Sequence, residues 1–218
     1  CLVTLALTGI TVSFTSAPLE WWLSLPIIVI YLLLFGWVSY QTATKLAEHK
    51  RRLQVMSTRD GMTGVYNRRH WETMLRNEFD NCRRHNRDAT LLIIDIDHFK
   101  SINDTWGHDV GDEAIVALTR QLQITLRGSD VIGRFGGDEF AVIMSGTPAE
   151  SAITAMLRVH EGLNTLRLPN TPQVTLRISV GVAPLNPQMS HYREWLKSAD
   201  LALYKAKKAG RNRTEVAA

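Results

Sequence analysis

The sequence predicts an α+β protein: a ferredoxin-like βαββαβ domain of palm-like architecture, preceded by a transmembrane helix and a helical stalk. Three observations support this prediction. Residues 1–44 contain a single charged side chain, Glu20, whereas charged residues are frequent after that point. Residues 44–58 contain neither glycine nor proline. From residue 59 onward, segments with helical and strand periodicity alternate over a length sufficient for one complete core.

The first of these regions has the composition of a membrane segment. No charged residue occurs from Trp21 to Ala43, and this run meets the requirement of roughly 20 residues for crossing a bilayer. Aromatic residues, which favour the headgroup zone, lie near both ends of the run: Trp21, Trp22, Trp37 and Tyr40. We therefore predict a transmembrane helix over 21–43, with a buried helix of a soluble protein as the alternative. Residues 1–19 could be a partial preceding span or a signal peptide, so 1–43 is interpreted as the C-terminal part of a membrane domain.

The stalk prediction covers residues 44–58. Lys45, Lys50, Arg51 and Arg52 follow the apolar run directly, and such positive charge is typical of the cytoplasmic side of a membrane. Apolar or weakly polar residues recur at a/d-like spacing, at Leu46, His49, Leu53 and Met56. This spacing predicts a short helix that pairs with a second copy, although an ordinary amphipathic connector fits it equally well.

The elements of the third region, 59–218, follow in order. The periodicity predicts a helix over 69–84, a strand over 89–95, a helix around 115–126, a hairpin over 131–144, a helix over 149–166, a strand over 174–183 and a closing helix over 192–209. The run 89–95 is continuously apolar up to its last residue, as expected for a strand buried on both faces.

The predicted hairpin carries two adjacent acidic residues. Gly136 and Gly137 lie between two apolar runs, and Gly-Gly favours a primed turn because such turns need positive φ. Asp138 and Glu139 should then lie at the hairpin tip. A solvated turn is the alternative for this motif taken alone.

A second acidic position lies at the end of the predicted buried strand. Asp95 ends that strand and Asp97 follows two residues later. In a βαββαβ sheet this strand end and the hairpin tip are neighbours, so Asp95, Asp138 and Glu139 can converge. Carboxylates without cysteine form a hard oxygen-ligand site that suits Mg²⁺, as a single ion or a pair. The sequence therefore predicts phosphoryl or nucleotidyl transfer.

The stretch that follows provides groups for a nucleotide. Lys100 can meet phosphate charge. Asn103 and Asp112 form a donor and acceptor pair suited to a purine edge, and a carboxylate can accept from guanine N1–H and N2–H₂ together. Loop or helix-cap roles are the alternative for these two residues.

Six motifs in this region strongly resemble the GGDEF family of diguanylate cyclases, in the family's order and over about residues 57–212. They are Asp60-Gly-Met-Thr-Gly-Val-Tyr-Asn-Arg-Arg69, Asp95-Ile-Asp-His-Phe-Lys100, Asn103-Asp-Thr-Trp-Gly-His108, Gly111-Asp112, Arg134-Phe-Gly-Gly-Asp-Glu-Phe140 and Ala199-Asp-Leu-Ala-Leu-Tyr-Lys-Ala-Lys-Lys-Ala-Gly-Arg-Asn212. The family condenses two GTP molecules into cyclic di-GMP with loss of two pyrophosphates. Met62 and Val65 stand where the family usually has leucine.

The resemblance implies a role for each motif residue. The metal site would comprise Asp95, the carbonyl of Ile96, Asp138 and Glu139, with two Mg²⁺ per site and Mn²⁺ as the alternative. Glu139 would also activate the ribose 3′-OH, and Asp138 and Lys100 would complete the catalytic set. Asn103 and Asp112 would bind guanine, and the triphosphate would contact the side chains of Phe99, Lys100, Lys207 and Arg211.

The resemblance also implies a homodimer and product inhibition. One site holds one GTP, so two chains must face each other across a two-fold axis. The spacing of Arg127 and Asp130 to the hairpin matches the family's inhibitory cyclic di-GMP site, to which Arg158 is added. The arrangement of a membrane segment directly before the cyclase domain resembles that of one type of this family, whose product signals biofilm and cellulose production. That type would be anchored in the bacterial inner membrane with its catalytic domain in the cytoplasm.

Two rival functions remain at this stage. A degenerate cyclase could bind cyclic di-GMP without making it, but Asp95, Asp138 and Glu139 are intact. A palm-type polymerase or another nucleotide cyclase could share the sheet and the metal pair. The net charge is +4 and basic residues are mixed with acidic ones, so no nucleic-acid partner is predicted.

Overall fold

The computed structural model describes residues 19–56, 58–168, 171 and 173–217. The chain divides into two compact units, Cys1–Ser57 and Thr58–Ala218. The predicted partial span over 1–19 lies outside the described residues, except for Leu19.

In the part of the first unit that the structure describes, one long helix, α1, runs over Leu19–Met56. The segment predicted as a transmembrane helix and residues 44–56 of the predicted stalk therefore belong to one continuous helix, with Pro26 inside it. Among the described residues, no helix is both long enough and apolar enough to cross a membrane. The transmembrane prediction for 21–43 is thus not supported. The apolar stretch whose side chains are described, 28–38, is followed within the same helix by polar Ser39 and Gln41.

The second unit is built on a six-stranded sheet with the order β1-β3-β4-β2-β5-β6. Its elements are β1 Tyr66–Asn67, α2 Arg68–His85, β2 Ala89–Ile96, α3 Phe99–Trp106, α4 His108–Thr125, β3 Val131–Arg134, β4 Glu139–Ser145, α5 Ala149–Thr165, β5 Ile178–Pro184, α6 Tyr192–Lys208 and β6 Thr214–Val216. The four central strands are antiparallel, whereas β1 and β6 join the edges in parallel. The predicted α+β class and the βαββαβ order of the central strands are confirmed.

Strand β2 lies at the centre of the core and all eight of its residues are buried. Leu92 and Ile94 pack on one face of the sheet in a cluster with residues of α4 and α5. Leu91 and Ile93 pack on the other face with residues of α2 and α6. This burial on both faces explains the continuous apolar run, and it places Asp95 where the strand leaves the core.

Several elements differ from the prediction. The edge strands β1 and β6 were not predicted, and α4 begins at His108 instead of near residue 115. Helix α3 was not predicted, because its eight residues are mostly polar and none of them is fully buried. Strand β5 begins at Ile178, four residues later than predicted. Val174 and Leu176 nevertheless lie in the same buried cluster as Ile178. The alternation therefore identified the buried face correctly, but buried residues here extend beyond the hydrogen-bonded strand.

Candidate active site

Three acidic residues meet where β2 ends and β4 begins. Asp95 is paired in register with Glu139 on the neighbouring antiparallel strand. The backbone N–H of Ile96 donates to the carbonyl oxygen of Asp138 at 3.3 Å, which holds the loop before β4 against the end of β2. The convergence expected from the strand order is therefore present.

The hairpin geometry differs from the prediction. Neither Gly136 nor Gly137 has positive φ, so the primed turn predicted from Gly-Gly is wrong. The connection is a longer loop, in which the N–H groups of Phe135 and Gly136 both donate to the Glu139 carbonyl, at 2.8 and 3.2 Å. Glu139 consequently begins β4 instead of lying at the tip.

Arg134 stabilises this loop. Its Nη2 and Nε donate to the Gly137 carbonyl at 2.7 and 3.1 Å. Its Nη1 also contacts Asp60 Oδ1 at 3.2 Å, and Asp60 in turn accepts from the Thr63 backbone N–H at 3.0 Å. Asp60, which begins the first family motif, thus helps to hold Arg134 against the hairpin loop. The sequence alone did not reveal this role.

The carboxylates at this position ionise with difficulty. Burial raises the pKa of Asp95, the charges of Asp138 and Asp97 raise it further, and the Lys207 ammonium opposes the shift. Burial also raises the pKa of Glu139, and the charge of Asp95 adds to that effect. Because each negative charge disfavours the others, the cluster favours a bound cation.

Lys207 provides one such cation. Its Nζ lies 2.7 Å from Asp95 Oδ2, and both side chains are mostly buried. Lys207 was predicted to bind the triphosphate, and the structure brings it to the end of the sheet that carries the carboxylates. Arg211 and Lys100 are exposed.

The side-chain oxygens of this cluster are of the kind that a hard divalent cation prefers. All side-chain donors are carboxylate oxygens, as Mg²⁺ and Mn²⁺ prefer. Within the described part of the chain, no three His, Cys, Asp or Glu side chains are arranged closely enough to form a metal site by themselves. Mg²⁺ usually takes several of its ligands from water and substrate phosphates, so an incomplete protein shell is compatible with it.

The guanine-binding prediction concerns the helix pair α3–α4, which is joined at Gly107 with φ +87°. Asn103 Oδ1 is buried and has no hydrogen-bond partner within the described residues. A Cβ at Gly111 would lie 1.9 Å from this oxygen, so only glycine permits the approach of Asn103 to α4. Asp112 is the next residue and is exposed. An unsatisfied buried acceptor beside an exposed carboxylate fits a ligand that donates hydrogen bonds.

Sequence reasoning missed the roles of two acidic residues. Asp97 is buried, and its oxygens accept from Ser179 Oγ at 2.6 Å and from the Asn212 backbone N–H at 2.8 Å. It therefore serves the protein framework and does not join the cluster. Asp200 lies near the cluster, since its charge raises the pKa of Glu139. Burial raises the pKa of Asp200 itself, whereas the charges of Lys207 and Arg68 lower it. Its position seven residues before Lys207, two turns away on the same helix face, was the available signal.

The residues of the predicted inhibitory site lie together. Arg127, Asp130 and Arg158 line one cavity of about 260 Å³, formed by the end of α4 and by α5. Asp130 Oδ2 accepts from the Arg127 backbone N–H at 2.9 Å. Asp130 Oδ1 is buried and has no partner within the described residues, and burial raises the pKa of this carboxyl.

Comparison with known proteins provides an independent line of support. Residues 57–213 match the sequence model of the family described as "Diguanylate cyclase, GGDEF domain". A protein of Escherichia coli K12 named "Probable diguanylate cyclase DgcC" is 99% identical over the whole chain, which spans 59% of that relative's length. Diguanylate cyclase DosC of the same organism is 35% identical over 72% of this chain and 34% of its own length.

Solved structures share the fold. The GGDEF domain of DgcB from Caulobacter crescentus in complex with c-di-GMP superposes with a TM-score of 0.70 at 30% identity, covering 73% of this chain and 93% of that one. Diguanylate cyclase SiaD of Pseudomonas aeruginosa, in complex with its activator SiaC, gives a TM-score of 0.70 at 32% identity, over 99% of this chain and 85% of that one.

Proposed function

The chain belongs to the GGDEF family of diguanylate cyclases, and from this premise we propose that it condenses two GTP molecules into cyclic di-GMP and releases two pyrophosphates. The observation that carries the proposal is the pairing of Asp95 with Glu139 beside Asp138 and Lys207. It combines carboxylates for metal binding with a cation for phosphate at one end of the sheet.

The reaction needs a base and an electrostatic environment for phosphate. The carboxylates of Asp95, Asp138 and Glu139 and the Ile96 carbonyl would hold a divalent cation, which when bound neutralises phosphate charge. Glu139 accepts the proton of the ribose 3′-OH as the general base. The 3′ oxygen forms a bond to the α-phosphorus of the second GTP, and the bond from that phosphorus to pyrophosphate breaks.

Each GTP is positioned by groups at its two ends. Asn103 and Asp112 bind the guanine edge, with Phe99 close to Gly111 at the same helix pair. Lys100, Lys207 and Arg211 bind the triphosphate. Because this positioning fixes the attacking and leaving groups in line, it supplies a large part of the rate.

The reaction requires two copies of the chain. Each copy holds one GTP, and cyclic di-GMP has two reciprocal 3′–5′ bonds. Each 3′-OH must therefore attack the phosphate bound to the partner, which a two-fold homodimer allows. Helix α1 would then influence activity by bringing two catalytic units together.

Incubation of the protein with GTP or ATP tests this function. With Mg²⁺ or Mn²⁺ and GTP, we expect cyclic di-GMP and pyrophosphate in a ratio of one to two, and no cyclic product from ATP. Product from ATP at a comparable rate would favour another nucleotide cyclase. Binding of cyclic di-GMP without any turnover of GTP would identify a degenerate, ligand-binding member of the family.

We further propose that cyclic di-GMP inhibits the enzyme at Arg127, Asp130 and Arg158. An arginine can bond to guanine O6 and N7 together, and the unpartnered Asp130 oxygen can accept from guanine N–H groups. Arg127→Ala should weaken inhibition by added cyclic di-GMP about tenfold or more, measured as the concentration that halves the rate. Arg84→Ala, which changes an exposed arginine on α2 away from both sites, is the matched control. Equal sensitivity of Arg127→Ala and the parent would contradict the proposal.

We also propose where the protein is located in the cell and which process its product controls. The basic residues after the apolar part of α1 favour attachment to the cytoplasmic membrane, and the family resemblance favours signalling towards cellulose and biofilm. Fractionation of cells that express the full-length relative would test the location. Cellulose staining of cells that carry either the parent protein or a variant with an inactivated site would test the output.

A further inference from the structure

A buried hydrogen-bond network joins the end of β2 to the loop that follows α6. Asp97 is 5% exposed. One of its carboxylate oxygens accepts from Ser179 Oγ on β5, and the other accepts from the backbone N–H of Asn212 at 2.8 Å. Both oxygens are thus bound by protein groups from two different segments.

The loop that Asp97 holds has an unusual backbone. Three consecutive residues have positive φ: Gly210 at 113°, Arg211 at 62° and Asn212 at 46°. For Arg211 this conformation is costly, and it persists only where the surroundings impose it, whereas asparagine adopts it more readily. The N–H of Arg211 donates to the Ala206 carbonyl at 3.0 Å, so Arg211 lies between two anchored backbone groups.

His160 on α5 supports the same loop from the other side. Its Nε2 lies 3.2 Å from Thr214 Oγ1, and its ring also bonds to the Asn212 side chain. Burial lowers the pKa of His160, which favours the neutral ring, while the nearby Asp97 charge opposes that shift. The loop is therefore fixed by a carboxylate that directly follows β2 and by an imidazole on α5.

We propose that Asp97 and His160 are positioning residues for the GTP triphosphate, because they fix the loop 209–213 and so set the place of Arg211. Arg211 follows Lys207 by four residues and is exposed in the loop after α6, where its guanidinium can meet phosphate. Arg213, the other cation of the loop, lies 3.9 Å from Glu215. This proposal rests on the proposed function and assigns a task to residues outside the metal and base sites.

A double-mutant cycle tests the proposal. Asp97→Asn keeps the size of the side chain but removes its charge. Its NH₂ group would face one of the two groups that donate to Asp97, so one hydrogen bond is lost. This variant should raise the KM for GTP about fivefold and change kcat less than about twofold, because only positioning is lost. Arg211→Ala should raise KM about tenfold. In the double variant the KM should stay near that of Arg211→Ala, since no arginine remains to be positioned.

Controls separate this role from a loss of folding. Asp88→Asn changes an exposed acid at the opposite end of β2 and should leave both constants unchanged. If Asp97→Asn melts below the assay temperature, His160→Gln is measured in its place. It should raise the KM for GTP about threefold, and this effect should disappear in the double variant with Arg211→Ala. Additive effects with Arg211→Ala, or a fall in kcat with an unchanged KM, would overturn the proposal. A wild-type chain that forms no cyclic di-GMP would instead refute the proposed function and the positioning role together.

Discussion

Glu139 combines a proposed catalytic role with an energetic penalty. It is half-buried, and the Asp95 charge beside it makes the ionised form less favourable than it is in water. If Glu139 has the proposed role, its charge serves the chemistry at the expense of stability. The residues of the cluster should therefore affect stability and activity in opposite directions.

This opposition can be measured with Glu139→Gln, which keeps the shape and removes the charge. Because the folded-state pKa of Glu139 is raised above its ordinary value of 4.5, its ionisation destabilises the fold increasingly as the pH rises through that pKa. We expect the variant to melt on the order of 2 °C higher than the parent at pH 8. Below about pH 4 both forms are uncharged and the difference should vanish. A lower melting temperature at pH 8 would contradict this account.

Lys207 and Lys208 form a matched pair of adjacent cations. Lys207 contacts Asp95, whereas Lys208 is exposed with its ammonium 5.6 Å from the centre of the Tyr204 ring. Lys207→Ala should raise the KM for GTP about tenfold, because the cation proposed to bind phosphate is lost. Lys208→Ala should leave it within about twofold. Steady-state kinetics at fixed Mg²⁺ would decide, and equal effects of the two changes would argue against a special role for Lys207.

At the level of elements, packing between β5 and α6 determines where Lys207 and Asp200 lie. A Cβ at Gly181 would come within 2.1 Å of the Ala199 carbonyl and 2.3 Å of the Leu203 nitrogen. Both contacts are with helix backbone, which cannot rotate away. The glycine thus permits the close approach of strand and helix that brings α6 to the carboxylates.

Gly181→Ala should therefore destabilise the protein by about 3 kcal/mol and lower the melting temperature by on the order of 10 °C. The matched control is Gly61→Ala, where nothing lies within 4 Å of the added Cβ. Calorimetric melting of both variants gives the comparison. A Gly181→Ala variant as stable as the control would show that strand and helix can separate without cost.

Elements with strong periodicity were predictable, whereas those determined by tertiary contacts were not. Strand β2 and the helices α2, α5 and α6 were located within a few residues, because each buries a clear apolar face. Helix α3 and the conformation of the Gly136–Gly137 loop were not. The first has no fully buried residue, and the second depends on Arg134 bonding to the Gly137 carbonyl from outside the turn.

At the level of the whole molecule, the site is assembled from distant parts of the sequence. Asp95, Glu139 and Lys207 come from β2, β4 and α6, and the strand order brings them together. The convergence of Asp95 and Glu139 could be predicted because the βαββαβ order has few alternatives, whereas Lys207 was implied only by the family resemblance. The framework role of Asp97 could not, since its partners Ser179 and Asn212 carry no sequence pattern that identifies them.

The most direct measurement of the central claim is the amount of cyclic di-GMP formed from GTP and Mg²⁺ by the parent and by Glu139→Ala. The two proteins are compared at equal concentration, with Glu161→Ala, an exposed glutamate on α5, as the control. We expect product from the parent and the control, and a loss of at least about 100-fold in Glu139→Ala with the fold intact. Normal cyclic di-GMP output from Glu139→Ala would contradict the assignment of this site.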